Sequence, residues 1–153
     1  TIVTVSLLAT AGSYRICASG IIENNFPYTK DDSDFIPDNY KNAITFIKSN
    51  LGENDSFFTM TSEAIWYYYI DKPSPSRFPV VWFAMPFFYQ NQVVRDLKTN
   101  NVKLILYKNT HGANAIDGFT SQERLPIIDK YIRSNYSLFK IIDKNELWIK
   151  KPK

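Results

Sequence analysis

The run VKLILYK, Val102–Lys108, constrains the fold more than any other part of this chain. It is rich in strand-forming residues with few polar breaks, the pattern of a β-strand covered on both faces. Such a strand needs helices on either side, and helical periods flank it in the sequence. Asp38 is placed to cap a helix in which Tyr40, Ile44, Ile47 and Leu51 share one face, and Gly52 is placed to close it in the left-handed conformation. SFFTM, Ser56–Met60, reads as a short buried strand, and TSEAIWYYYI as a short helix capped by Thr61 or Ser62. FPVVWF, Phe78–Phe83, reads as a second strand. It leads into a long helix over Pro86–Asn101, with Phe87, Val94, Leu97 and Asn101 at helical spacing.

After a loop, SQERLPIIDKYIRSNY predicts a helix striped by Leu125, Ile128, Ile132 and Tyr136, with Pro126 tolerable only in its first turn. Two alternating runs, Leu138–Ile142 and Leu147–Lys150, then flank DKNE, a hairpin signal. Strands alternating with helices, followed by a hairpin, imply an α/β three-layer sandwich with a mainly parallel sheet and a C-terminal antiparallel hairpin at the edge.

Composition removes several function classes. A net charge of +3 is too mild for a nucleic-acid binder, so no nucleic-acid partner is expected. Cys17 is the single cysteine and His111 the single histidine, so no His/Cys cluster exists to hold zinc. The five glycines form neither GxGxxG nor a Walker loop, and no cofactor is expected. Aromatics reach 16%, a surplus that needs somewhere to pack.

Three segments follow from the pattern. Residues 1–22 are apolar except for Arg15, and read either as the end of a membrane helix continued upstream or as a buried element of the domain. Residues 23–37, rich in Asn, Asp and Pro, read as a linker. Residues 38–153 form the α/β domain.

The carboxyl ends of parallel strands are where ligands collect in such folds. That rule gathers Ser62 and Glu63 after the first strand and His111 after the third, a polar rim without the carboxylate pair of a glycosidase or the triad of a hydrolase. Glu63 and His111 suit an acid/base pair on paper, but a lone histidine in a Gly- and Asn-rich loop equally suits a capping or solvated role. No catalytic residue is assigned. The stretch EAIWYYYIDKPSPSRFP raises a different question. Trp66, Tyr67, Tyr68 and Tyr69 cover most of one helical turn, so either some of them meet a partner or a short helix is buried on every side. Pro73 and Pro75 stiffen the following loop and hold Arg77 where a guanidinium can grip a carboxylate or phosphate.

SFFTMTSEAIWYYYIDKPSPSRF, together with VVRDLKTNNVKLILYKN, IIDKYIRSNYSLFKIID and ELWIKK, resembles the C-terminal soluble extracytoplasmic domain of bacterial polytopic membrane glycosyltransferases, relatives of the dolichyl-phosphate-mannose protein mannosyltransferases and the aminoarabinose lipid A transferases. The resemblance runs from about Asp38 to Lys151. It implies a polyprenyl-phosphate-linked sugar donor and a location at the membrane on its extracytoplasmic face. It also implies a catalytic aspartate in the membrane-embedded part of the same polypeptide, with no counterpart here. That part would be the partner, with a lipid-linked sugar as a further candidate ligand. By the same resemblance Tyr67, Tyr68, Ser76 and Arg77 face the membrane part or its substrate. The rival reading is an independent small sugar- or nucleotide-binding module using Ser62, Glu63 and His111.

Overall fold

The computed structural model describes residues 36–108 and 118–152. The expectations for residues 1–22, for most of the linker and for His111 lie outside the described residues.

Helix α1 (Asp38–Asn50) precedes strand β1 (Phe57–Met60) and helix α2 (Ile65–Ile70). A 3-10 turn (Val81–Ala84) then leads into helix α3 (Phe87–Thr99) and strand β2 (Leu104–Tyr107). Helices α4 (Ser121–Arg124) and α5 (Pro126–Asn135) run into the hairpin of β3 (Tyr136–Ile142) and β4 (Asn145–Lys150). The sheet order is β1-β2-β4-β3, with β1 parallel to β2 and the remaining pairs antiparallel.

Alternation along the strands builds two cores. Phe58, Met60, Ile105, Tyr107 and Trp148 face the layer of α3, α5 and the 3-10 turn, where Val81, Val93, Leu97, Ile128 and Ile132 meet them. Phe57, Leu104, Leu106 and Leu147 face α1 and α2, against Ala43, Ile44, Ile47, Trp66, Tyr67 and Ile70. Each large apolar side chain so buried stabilises the fold by about 1.5–3 kcal/mol relative to leaving it in water. Strand β2 is buried along its whole length because both faces are covered and both edges are paired, as its sequence demanded. The hairpin turns at Asp143 and Lys144, both in the left-handed region (φ 49 and 67), which matches the twist of the strands it joins. Among the described residues no helix is long and apolar enough to cross a membrane.

Several local expectations are corrected. Phe78–Phe83 is not a strand: Pro79 offers no ladder donor, and the residues it precedes bury Val81 and Ala84 at the three-residue spacing of a 3-10 turn. With β1 paired directly to β2, one parallel pair remains. Helix α1 is entered through Pro37 without a side-chain cap. Asp38 instead sits inside the first turn, ion-paired to Lys41 at 2.8 Å. The helix ends as Leu51 turns extended, and the Gly52 N–H donates to Asp55 Oδ2 at 2.7 Å instead of closing a left-handed cap. In α3 the buried stripe is Gln90, Val93 and Leu97, and Phe87 points outward. The helix expected from Ser121 breaks at Leu125 (φ −128, ψ 56) into α4, opened by a Thr120–Glu123 capping box, and α5, where Pro126 occupies the first turn.

Candidate functional site

The four aromatic residues of α2 divide between inside and outside. Trp66 is fully buried and stacks on Tyr40 at 4.6 Å between ring centroids, and its indole N–H donates to Glu63 Oε2 at 3.0 Å. Tyr67 is buried too, its hydroxyl accepting the Thr59 N–H at 3.2 Å. Tyr68 is 61% exposed and rests on half-buried Tyr69 at 6.0 Å. A helix this short has one sheet-facing side, and consecutive residues step about 100° around it, so a run of four cannot all go in.

Glu63 lies just before α2, not in its first turn, and Ala64 precedes the helix without a side-chain cap. Thr61 shapes the approach instead, its Oγ1 accepting the Glu63 N–H at 3.1 Å while pairing with Thr59 Oγ1 at 2.9 Å. Ser62 is half-buried beside it.

The loop after α2 is held at both ends. Asp71 takes a left-handed conformation (φ 56, ψ 47) that lets the Asp71 and Lys72 N–H groups cap the Tyr68 and Tyr67 carbonyls, each at 3.1 Å. The Lys72 ammonium donates to the carbonyls of Gly52 and Glu53, and the Asn100 amide donates to the Pro75 carbonyl at 2.9 Å. Inside the loop Ser74 Oγ donates to the Ser76 carbonyl at 2.7 Å, and Ser76 is buried. Arg77 leaves this frame into solvent with its guanidinium over the rings of Phe78 (4.8 Å) and Tyr89 (5.0 Å). Among the described residues no carboxylate pairs with it.

Among the described residues, those selected from the sequence are therefore not gathered into one cluster. Tyr67 and Tyr68 stand on the layer that covers one face of the sheet, whereas Arg77 stacks on Phe78 and Tyr89, which pack against the core of the other face. Ser62 and Glu63 lie at the end of β1, with Glu63 already engaged by Trp66. No group of three His, Cys, Asp or Glu side chains that could hold a metal occurs among the described residues.

Two features escaped sequence reasoning. The first is a polar network around the buried Asp129: the Tyr107 hydroxyl donates to Asp129 Oδ1 at 2.7 Å, and the half-exposed Arg133 donates from Nε to both Asp129 oxygens at 3.0 and 3.1 Å. The Asp129/Arg133 spacing of four was a signal available in the sequence. The second is the corner of Phe83, Met85, Phe87 and Phe88, each at least 49% exposed. The adjacent pair Phe87-Phe88 after a proline was its signal, because neighbours in a helix cannot both face one core.

Burial raises the phenol of Tyr67 from an ordinary 10.0 to about 12, against the hydrogen bonds from Thr59 and Ser74 that hold it down. Tyr107 and Tyr136 are raised in the same direction, chiefly by burial, with the Asp129 carboxylate adding to the first and Tyr131 to the second. A raised phenol in the folded state means that the unfolded chain ionises first. This contribution is intact below pH 10 and is lost as pH climbs through the folded value. By pH 12 the loss from Tyr67 alone is expected to reach about 2 kcal/mol. Urea unfolding followed across the alkaline range checks this, and Tyr67→Phe should flatten the slope.

In class, the layers define a mixed α/β domain: an open four-stranded sheet flanked by helices on both faces and ending in a hairpin. Among solved structures, the C-terminal globular domain of an oligosaccharyltransferase from Archaeoglobus fulgidus is similar to it. The TM-score is 0.47 and the sequence identity 12%, over 76% of this chain and 99% of that chain. No family profile and no curated protein matches the sequence.

Proposed function

We propose that this chain is the extracytoplasmic domain of a membrane glycosyltransferase that uses a polyprenyl-phosphate-linked sugar donor. In this reading it docks on the membrane-embedded part of the same polypeptide or shapes its substrate, and bond-breaking belongs to that other part. The observation that carries the reading is Arg77, a solvent-facing guanidinium held over two rings and unpaired with any described carboxylate. A cation oriented in this way is built to meet a phosphate or carboxylate supplied from outside the domain. Ser76 stiffens the loop from within, and Tyr68 and Tyr69 present rings with polar tips of the kind that suit a surface apolar on one side and wet on the other. Tyr67 acts as a strut, since its ring is buried. The sequence resemblance over Asp38–Lys151 supports the donor class.

The rival sugar- or nucleotide-binding module draws less support, because the Glu63 carboxylate it needs already accepts the Trp66 indole N–H. The decisive experiment is to read the gene upstream of Thr1. Several apolar segments, each of about 20 residues, are expected there. A start codon within a few residues of Thr1 overturns the reading.

A further inference from the structure

We propose that the corner between the 3-10 turn and α3 is a lipid-contacting tip that seats the domain on a bilayer surface carrying anionic headgroups. The contact is with lipid, not protein, and stands or falls separately from the donor chemistry proposed above.

Four large apolar side chains crowd positions 83–88, with Phe83 73%, Met85 49%, Phe87 66% and Phe88 67% exposed. Isolated exposed apolar residues are ordinary, but a contiguous group marks a surface meant to be covered. The backbone gives the corner its shape: Pro86 ends the turn and starts α3, and the buried Gln90 fixes it by donating to the Met85 carbonyl at 2.7 Å while accepting the Ile127 N–H at 3.0 Å. The tip is thus braced from below while its apolar side chains stay outside.

Its charge selects the occupant. Between Asp71 and Asp96 the chain has no Asp or Glu, and of the basic residues there Arg77 is the one that stacks on the rings beside the corner. Phe88 rests on Tyr89 at 5.6 Å, and the same Tyr89 ring carries the Arg77 guanidinium at 5.0 Å, so cation and apolar corner are continuous. On the other side Arg124 stacks over Trp82 at 4.4 Å and reaches the Met85 sulfur at 4.0 Å. Exposed phenylalanines bordered by Trp82, Tyr89, Arg77 and Arg124 carry the residue types of a membrane interface, apolar rings beside rings with polar tips and cations. Basic residues within reach of anionic lipid add attraction that salt screens.

Vesicle flotation of the compact unit Ile36–Lys153, which holds both cores and omits the apolar residues 1–22, tests this, with phosphatidylcholine vesicles prepared with and without phosphatidylglycerol. The wild-type unit should float, more completely with phosphatidylglycerol and less so at raised salt. Phe87→Ser/Phe88→Ser should lower the bound fraction about tenfold or more. It should shift the thermal melt little, because both side chains are about two-thirds exposed. Arg77→Gln should shrink the gain from phosphatidylglycerol. Equal flotation of the double variant, or no flotation of either protein, overturns the proposal. So does a concentration-dependent dimer that the double variant loses while neither protein binds vesicles, which would make the corner a self-association surface.

Discussion

Trp66→Ala is expected to lower the unfolding free energy by about 3–5 kcal/mol, the range for removing a large aromatic from a closed core. Tyr68→Ala, two positions further on, should change it by less than about 1 kcal/mol. The contrast follows from burial: Trp66 is fully enclosed against Tyr40 and Tyr69, while Tyr68 is 61% exposed. The alanine variant also strips Glu63 of its indole donor, which adds to the loss. Urea denaturation with linear extrapolation reads both effects. Similar losses for the two variants would mean that α2 is enclosed on all sides, and the outward-facing surface in the proposed function would lose its basis.

Arg133→Ala is expected to lower the unfolding free energy by about 1–3 kcal/mol, through a different cause: the carboxylate is buried while the cation is 42% exposed. The Asp129 side chain is only 5% exposed, and its charge is balanced by the Arg133 Nε–H, shared between its two oxygens, and by the Tyr107 hydroxyl. Removing the cation leaves the carboxylate with one neutral protein donor and with water entering only where the arginine stood. Arg133 also lies over the rings of Tyr107 and Trp148, both at 5.5 Å, so some packing goes with it. Adding Asp129→Asn to Arg133→Ala should recover part of the loss, because no net charge then remains buried. If the double variant is no more stable than the single one, the cost lies in packing and not in the stranded charge. The same chemical denaturation series separates the two.

These two variants also mark how far the sequence could be read. The central strand, the parallel partner at Phe57–Met60, α1, the Pro126 start of α5 and the Asp143–Lys144 turn follow from local rules: apolar run length, helical period, proline position and turn-forming residues. Phe78–Phe83 did not, since an apolar run of that length serves a strand or a 3-10 turn equally well until the pairing of β1 with β2 decides that no slot is open. The aromatic run shows the same division. Its sequence established that four consecutive rings cannot share one face, and its loop chemistry established a stiff Arg77. Which rings turn inward was decided by the packing of α2 on Phe57 and α1, and the separation of Arg77 from the tyrosines by the stacking of Phe78 and Tyr89 on the opposite core. Local periodicity is written in neighbouring residues and survives in the bare sequence. The choice of face, the network around the buried Asp129 and the exposed Phe83–Phe88 corner depend on contacts between residues far apart in the chain, and only the folded arrangement fixes those.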